Sequence, residues 1–232
     1  SQMSIYRIAD LSVQMNTVGR TARYAEPYRV TETEADITVA ASADDLSRLK
    51  NTSPDYAEYL ATGISFYRQL VAYRGIMLHA SCIVTDGRAY LFSAPCGTGK
   101  STHVRLWTEL LGDRAYILND DKPALRVLEG KIYVYGTPWS GKHGINRNAR
   151  AELGGIAVLR RAEQNAVRRM EPTEAFYAIM NQTLRAVAPQ DAQQCLETVE
   201  AIVSDGRIYD LACNQDISAA RLSYETMTGK RK

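Results

Sequence analysis

Nine consecutive residues, Ala94-Pro95-Cys96-Gly97-Thr98-Gly99-Lys100-Ser101-Thr102, concentrate the chemistry of this chain. Gly97 and Gly99 let the backbone bend so that successive amides turn inward on an anion. The segment stands between a predicted strand and a predicted helix, which is the context a phosphate-binding loop requires. The helix N-terminus would add unpaired N–H groups and a positive dipole end. Lys100 is a mobile point charge for the β- and γ-phosphates of a nucleotide. Ser101 offers a hydroxyl to magnesium. The candidate nucleotide-binding residues are therefore Pro95, Cys96, Gly97, Thr98, Gly99, Lys100, Ser101 and Thr102. Ala94 stands where the full consensus has its first glycine, and a plain Gly-rich turn before a helix is the bland alternative.

A second cluster follows about twenty residues later. Asp120 and Asp121 close the apolar segment Ala115–Leu118. A carboxylate at the end of such a strand can hold magnesium, and a second can accept a proton from an attacking hydroxyl. The competing reading is a turn or helix cap. His79 falls in the predicted strand Met77–Val84, where a lone histidine often serves structure. His79, His103 and His143 share no metal-ligand spacing. Cys96 reads as a small side chain filling the loop, with redox sensitivity as the alternative. Residues 137–150 are rich in Gly, Asn and basic side chains and read as a lid, with Trp139 as anchor and Lys142 and His143 as substrate-facing groups.

The elements that would position these residues alternate between strand and helix. Ser4–Val13, Ala22–Val30 and Ala35–Ala41 read as strands, with Pro27 marking an edge. Pro54 opens a helix to about residue 73, closed by Gly75. Met77–Val84 and Arg88–Ser93 flank Asp86-Gly87, a hairpin signal. A helix over about 99–111 stops at Gly112. Pro123–Leu128 and Lys131–Tyr135 form a second hairpin around Glu129-Gly130. Gly155–Arg161 and Ala166–Met170 read as strands, helices follow at about 173–187 and 190–203, and Arg207–Leu211 and 216–227 form a last strand and helix.

The 232 residues suit one large domain. Hydrophobic residues at 45% and charged residues at 23% exclude a disordered or fibrous chain. A net charge of +2 gives no global pull toward nucleic acid or membrane. No apolar run approaches the ~20 residues of a membrane span, and no signal-peptide core is present. The four cysteines include no Cys-x-x-Cys pair, so we expect a reduced, cytoplasmic protein.

Leu78-His79, a hairpin, Gly97-Thr98-Gly99-Lys100-Ser101 and then Asp120-Asp121 after one helix and one strand resemble the HPr kinase/phosphorylase catalytic domain. The loop string is also similar to that of the ATP-dependent phosphoenolpyruvate carboxykinases, whose fold that family shares. The resemblance covers about residues 76–170. It implies an α/β fold with a mixed β-sheet and flanking helices, a single domain over 1–232, divergent N-terminal strands and helix over 1–75, and C-terminal helices over 171–232. It further implies ATP and Mg²⁺ as cofactors, with Lys100 on phosphate, Ser101 on the metal, Asp121 as catalytic base and His79 as an active-site residue. Asp120 then mainly serves the metal. The implied reaction moves a γ-phosphoryl group to a serine of a peptide or small protein, or to a small-molecule hydroxyl, in a protein that is an oligomer or a monomer. The alternatives are a non-catalytic nucleotide-binding regulator and a carboxykinase-like enzyme whose small acid is held by Lys142, His143, Arg147 and Arg150.

Overall fold

A computed structural model describes residues 4–95, 99–184 and 188–231. Cys96, Gly97 and Thr98, the centre of the expected phosphate loop, lie outside the described residues.

Strands β1 (Ile5–Ile8), β2 (Leu11–Met15), β3 (Arg29–Val30) and β4 (Ile37–Val39) form a small sheet in the order β3-β1-β2-β4. The expected strand Ser4–Val13 is this β1–β2 hairpin. Ala9 and Asp10 both take positive φ, 53° and 62°, as a two-residue hairpin turn demands. Ala-Asp is not a pair by which such turns are recognised. The expected strand Ala22–Val30 is largely helix α1 (Gly19–Ala25) and a 3-10 turn at Glu26–Tyr28. Helix α2 (Ala43–Arg48), capped by Ser42 on the Asp45 amide, is too short to leave a periodic signal. Helix α3 (Pro54–Leu70) begins at the expected proline, with Ser53 accepting from the Tyr56 amide. It buries Tyr59, Phe66 and Leu70 in a cluster that also takes Ile8 and Val13 from the small sheet and Ala124 and Trp139 from beyond it.

The large sheet contains β5 (Gly75–Met77), β6 (Ser81–Thr85), β7 (Arg88–Ser93), β8 (Ala115–Asn119), β9 (Ala124–Leu128), β10 (Lys131–Tyr135), β11 (Arg150–Arg161), β12 (Ala166–Arg169) and β13 (Ile208–Cys213). Its main path runs β5-β9-β10-β11-β7-β6-β8, with β13 beside the second half of β11 and β12 beside β13. Strand β11 runs parallel to β7 and β13, and the remaining pairings are antiparallel, so the sheet is mixed.

Helices α4 (Lys100–Leu111), α5 (Pro172–Gln182), α6 (Ala192–Asp205) and α7 (Ile217–Thr228) cover its faces. Strand alternation decides which residues meet which helix. Cys82, Val84 and Leu91 pack with Ile179 and Val199 on the side of α5 and α6. Ile83 and Phe92 pack with Trp107 and Tyr224 on the side of α4 and α7.

Three boundaries differ from expectation. The segment Met77–Val84 is two strands, with Leu78, His79 and Ala80 between them. Strand β11 starts at Arg150, five residues early, and carries a register shift between Leu153 and Gly155 that hides its periodicity. Helix α5 stops at Gln182, and 185–187 lie outside the described residues. Among the described residues no helix is long and apolar enough to cross a membrane.

Candidate active site

Strands β7, β6 and β8 are adjacent, and their pairing places the site. Ser81 pairs with Phe92, and Cys82 with Asn119. Strands β7 and β8 therefore end, and β6 begins, at one edge of the sheet. Three chain segments deliver side chains there: His79 before β6, Lys100 and Ser101 after β7, and Asp120 and Asp121 after β8. His79 leads into the middle strand, and its ring lies between Lys100 and Asp121.

Gly99 caps α4 with φ 94°, a left-handed conformation that only glycine adopts without strain. It turns the chain so that Lys100 starts the helix with its side chain inward, 7% exposed. The Lys100 Nζ lies 2.8 Å from His79 Nε2. The same ring nitrogen lies 3.0 Å from Asp121 Oδ1. The His79 backbone is clamped on both sides: its amide donates to Gln182 O at 2.8 Å, and Ser93 Oγ donates to its carbonyl at 2.7 Å.

Asn119 shapes the acidic pair. It is fully buried, its Oδ1 accepts from the amides of Asp121 and Lys122, both at 2.9 Å, and its Nδ2 donates to Thr137 O at 3.1 Å. This Asx turn ends the strand. An extended strand would send Asp120 and Asp121 to opposite sides. The turn instead brings both carboxylates to one cavity of about 740 Å³.

Their surroundings differ. Asp121 Oδ1 meets His79, while Oδ2 accepts from Tyr59 OH at 2.8 Å and Lys122 Nζ at 2.6 Å. Burial pushes its carboxyl up, but these partners, His79 foremost, outweigh burial and hold it far below the usual range. Asp120 Oδ1 accepts from Ser81 Oγ at 2.7 Å. Burial pushes the Asp120 carboxyl up despite that bond and the nearby Lys100 charge. Burial also lowers Lys100, against the pull of Asp121.

Of the expected site residues, His79, Lys100, Ser101, Asp120, Asp121, Lys142 and His143 line this one cavity. Thr102 and Gly99 border a separate small cleft beside the ends of β11 and β13. Pro95, exposed, is the last described residue before the loop. His103 is buried against Ser223 Oγ, 2.8 Å away, where burial lowers it to about 4.

Trp139 does not face the cavity. Trp139 has no exposed surface, stacks on Phe66 with ring centroids 4.9 Å apart, and donates from Nε1 to Thr62 Oγ1 at 3.2 Å. It anchors the loop to the core rather than to a substrate. Tyr59 OH accepts from the Gly141 amide at 2.8 Å, and Tyr28 donates to Asn146 Oδ1 at 2.5 Å. Gly144 takes φ +61° and sits so close that a Cβ would meet the Tyr24 ring at 2.4 Å. These contacts tie the loop to α1, the turn after it and α3. Arg147 and Arg150 do not line the cavity: they lie over the rings of Tyr116 and Tyr133, and Arg150 pairs with Asp10 at 2.7 Å.

Sequence reasoning missed Tyr59, Lys122, Arg20 and Tyr56. Lys122 follows the acidic pair directly and is recognisable as its counter-ion. The other three belong to α1 and α3, about sixty residues or more upstream of Asp121, and only the packing of α3 reveals them.

No family model and no curated protein matches the chain. Among solved structures, it aligns with the HPr(Ser) kinase/phosphatase from Coxiella burnetii over 56% of this chain and 99% of that one, at 14% identity and a TM-score of 0.29. So loose a superposition decides nothing about chemistry.

Proposed function

We propose that this chain is a kinase that uses ATP and magnesium to transfer the γ-phosphoryl group to a hydroxyl, most simply a serine of a peptide or small protein. The observation that carries this reading is the contest for His79 Nε2. A ring nitrogen holds either a proton or a lone pair. With the proton it serves the Asp121 carboxylate and faces the Lys100 ammonium donor to donor. With the lone pair it serves Lys100 and faces the carboxylate acceptor to acceptor. Burial, which pushes Lys100 toward its neutral form, adds to the cost of leaving its ammonium without a matched acceptor. A polyphosphate beside the N-terminus of α4 supplies that acceptor and leaves the ring N–H to Asp121.

The donor set suits magnesium, which takes one or two carboxylates together with substrate phosphates and water. Asp120 keeps an oxygen beyond its bond to Ser81, and Ser101 opens on the same cavity. These two residues would hold the ion, which when bound neutralises charge on the phosphates. Asp121 accepts the acceptor's hydroxyl proton on its remaining lone pair. A new P–O bond forms to that oxygen, the bond between the γ-phosphorus and the bridging oxygen breaks, and ADP leaves. Lys100 offsets charge on the transferring group. The chain's likeness in motif order to HPr kinases supports the same assignment.

Calorimetric titration of Lys100→Ala with ATP·Mg²⁺ and with adenosine tests the reading. ATP affinity is expected to fall while adenosine affinity holds. Unchanged ATP affinity would overturn it.

A further inference from the structure

One wall of the cavity that holds Lys100 and the aspartates belongs to the small N-terminal unit. Arg20 of α1 and Thr52, Ser53 and Tyr56 at the start of α3 face Lys100 and the aspartates across it. Asp55 fixes Arg20: its Oδ1 accepts from the Arg20 amide at 2.8 Å, and its Oδ2 lies 3.2 Å from Nε. The guanidinium then lies over the Tyr56 ring, 5.4 Å from its centroid. Tyr56 stacks on the buried Tyr59 at 5.7 Å and leaves 38% of its surface exposed. Across the mouth, Lys142 and His143 are exposed, and among the described residues the Lys142 ammonium makes no ion pair or hydrogen bond.

We infer that Arg20, Tyr56, Lys142 and His143 form the acceptor-binding rim of this cavity, and that the acceptor is an extended peptide with an acidic residue beside its hydroxyl-bearing one. The inference rests on the kinase reading above. Charge supports the acidic residue. Asp120, Asp121 and Lys100 serve metal, base and phosphate in that reading, so the Lys142 ammonium, with the Arg20 guanidinium N–H groups beyond its pair with Asp55, is left for a further anion. Exposed apolar surface supports a peptide over a small hydroxy acid. Val18, Tyr56 and Ile145, three of the exposed large apolar side chains among the described residues, lie on the segments that carry this rim. Tyr56 lines the cavity itself. A small acid enclosed by the cavity would leave its outer surface bare, and a peptide backbone crossing the mouth covers it.

The test uses fluorescein-labelled serine peptides flanked either by Asp and Glu or by Lys, measured by anisotropy on the whole chain without nucleotide. Acid-flanked peptides are expected to bind at least about tenfold tighter. Arg20→Ala and Lys142→Glu should each cut that preference below about twofold, with ATP·Mg²⁺ affinity within about twofold of the parent, because neither residue serves the phosphates. Arg20→Lys, which keeps the charge, should restore most of the preference and separates lost recognition from misfolding. Equal binding of the two peptide sets overturns the inference. So does a fall in ATP affinity in Arg20→Ala, which would make the rim part of the nucleotide site, or transfer to small hydroxy acids with none to any peptide. Selective peptide binding in a parent that fails to bind ATP would instead overturn the kinase reading and leave the peptide rim standing.

Discussion

Replacing Lys100 with methionine should stabilise the free protein and abolish its response to nucleotide. Lys100 carries its charge into a site where it is 7% exposed and where its near neighbour is a single histidine nitrogen already claimed by Asp121. Burial lowers its proton affinity more than the aspartates raise it. A lysine with a depressed pKa destabilises the fold wherever it stays charged, and that penalty fades as pH rises through its folded pKa toward the ordinary lysine range. Methionine fills a similar volume without the charge. Exchanging a poorly compensated buried charge for an apolar group is worth about 1 kcal/mol here, the low end for such exchanges. In a chain of this size that raises the melting temperature by about 2–4 °C. Saturating ATP·Mg²⁺ acts the other way. At a hundredfold excess over Kd it stabilises the parent by about 2.7 kcal/mol, or roughly 5–11 °C, and leaves the variant unmoved. Differential scanning calorimetry at neutral pH, with and without ATP·Mg²⁺, should therefore show the order of stability reversing. The gap between the free proteins should narrow as pH rises and close above about 10.4, where lysine has lost its proton in both states. A free variant less stable than the parent, or one that gains equally from ATP, refutes this account of Lys100.

Asp121→Asn keeps shape but cannot take a proton. Phosphoryl transfer, or phosphate release to water in its place, should fall by about 10²-fold, the low end for a positioned base because this carboxylate is held weakly basic. Tyr59→Phe removes the donor to Asp121 and the acceptor of the Gly141 amide, and should cost about 1.5–3 kcal/mol in urea unfolding. Asp121 contributes stability above its unfolded pKa that is lost as pH falls through its folded one. Losing Tyr59 raises that folded pKa, so acid unfolding should begin at higher pH than in the parent. Trp139→Ala should cost about 3–5 kcal/mol. In a Trp107→Phe background, Trp139 emission should stay constant through an ATP titration, and a large change would restore the lid.

What the sequence made legible follows the range of the signals. Pro54, Gly99, Gly112 and the Asp86-Gly87 and Glu129-Gly130 turns act within a few residues, and the elements they bound stand close to where they are expected. The order of Lys100 and the aspartates along the chain was readable too, because each flanks a recognisable strand end. The N-terminal region was not. Its strands are two to five residues long, too short for alternation to show, and α1 starts from Val18 without a side-chain cap. His79 looked like a strand residue because Leu78, Ala80 and Cys82 continue the apolar run. All three are fully buried, and the backbone between β5 and β6 satisfies its amides on Pro123, Gln182 and Asp121 rather than on a strand neighbour. Such long-range partners leave no local trace. Trp139 misled for the opposite reason: a tryptophan among Gly, Ser and Lys suggests a surface loop, and only the packing of α3 shows that it is core.

The acidic pair shows how one turn separates two chemistries. Asp120 and Asp121 are adjacent and share one cavity, and in water their carboxyls would be nearly equivalent. Asn119 bends the chain so that each falls against a different neighbour. Asp120 faces Ser81, at the start of a strand buried on both sides, and gains one neutral donor. Asp121 falls among His79, Lys122 and Tyr59, brought by three different segments. Burial acts on both, but only Asp121 has enough charged and polar partners to overcome it. The difference therefore depends on the small N-terminal unit as well as on the large sheet, since Tyr59 comes from α3. The same helix sends Tyr56 to the cavity mouth. An element whose sequence carries no chemical motif thus adds one donor to the group that holds the Asp121 carboxyl low, behind His79 and Lys122, and supplies one wall of the cavity.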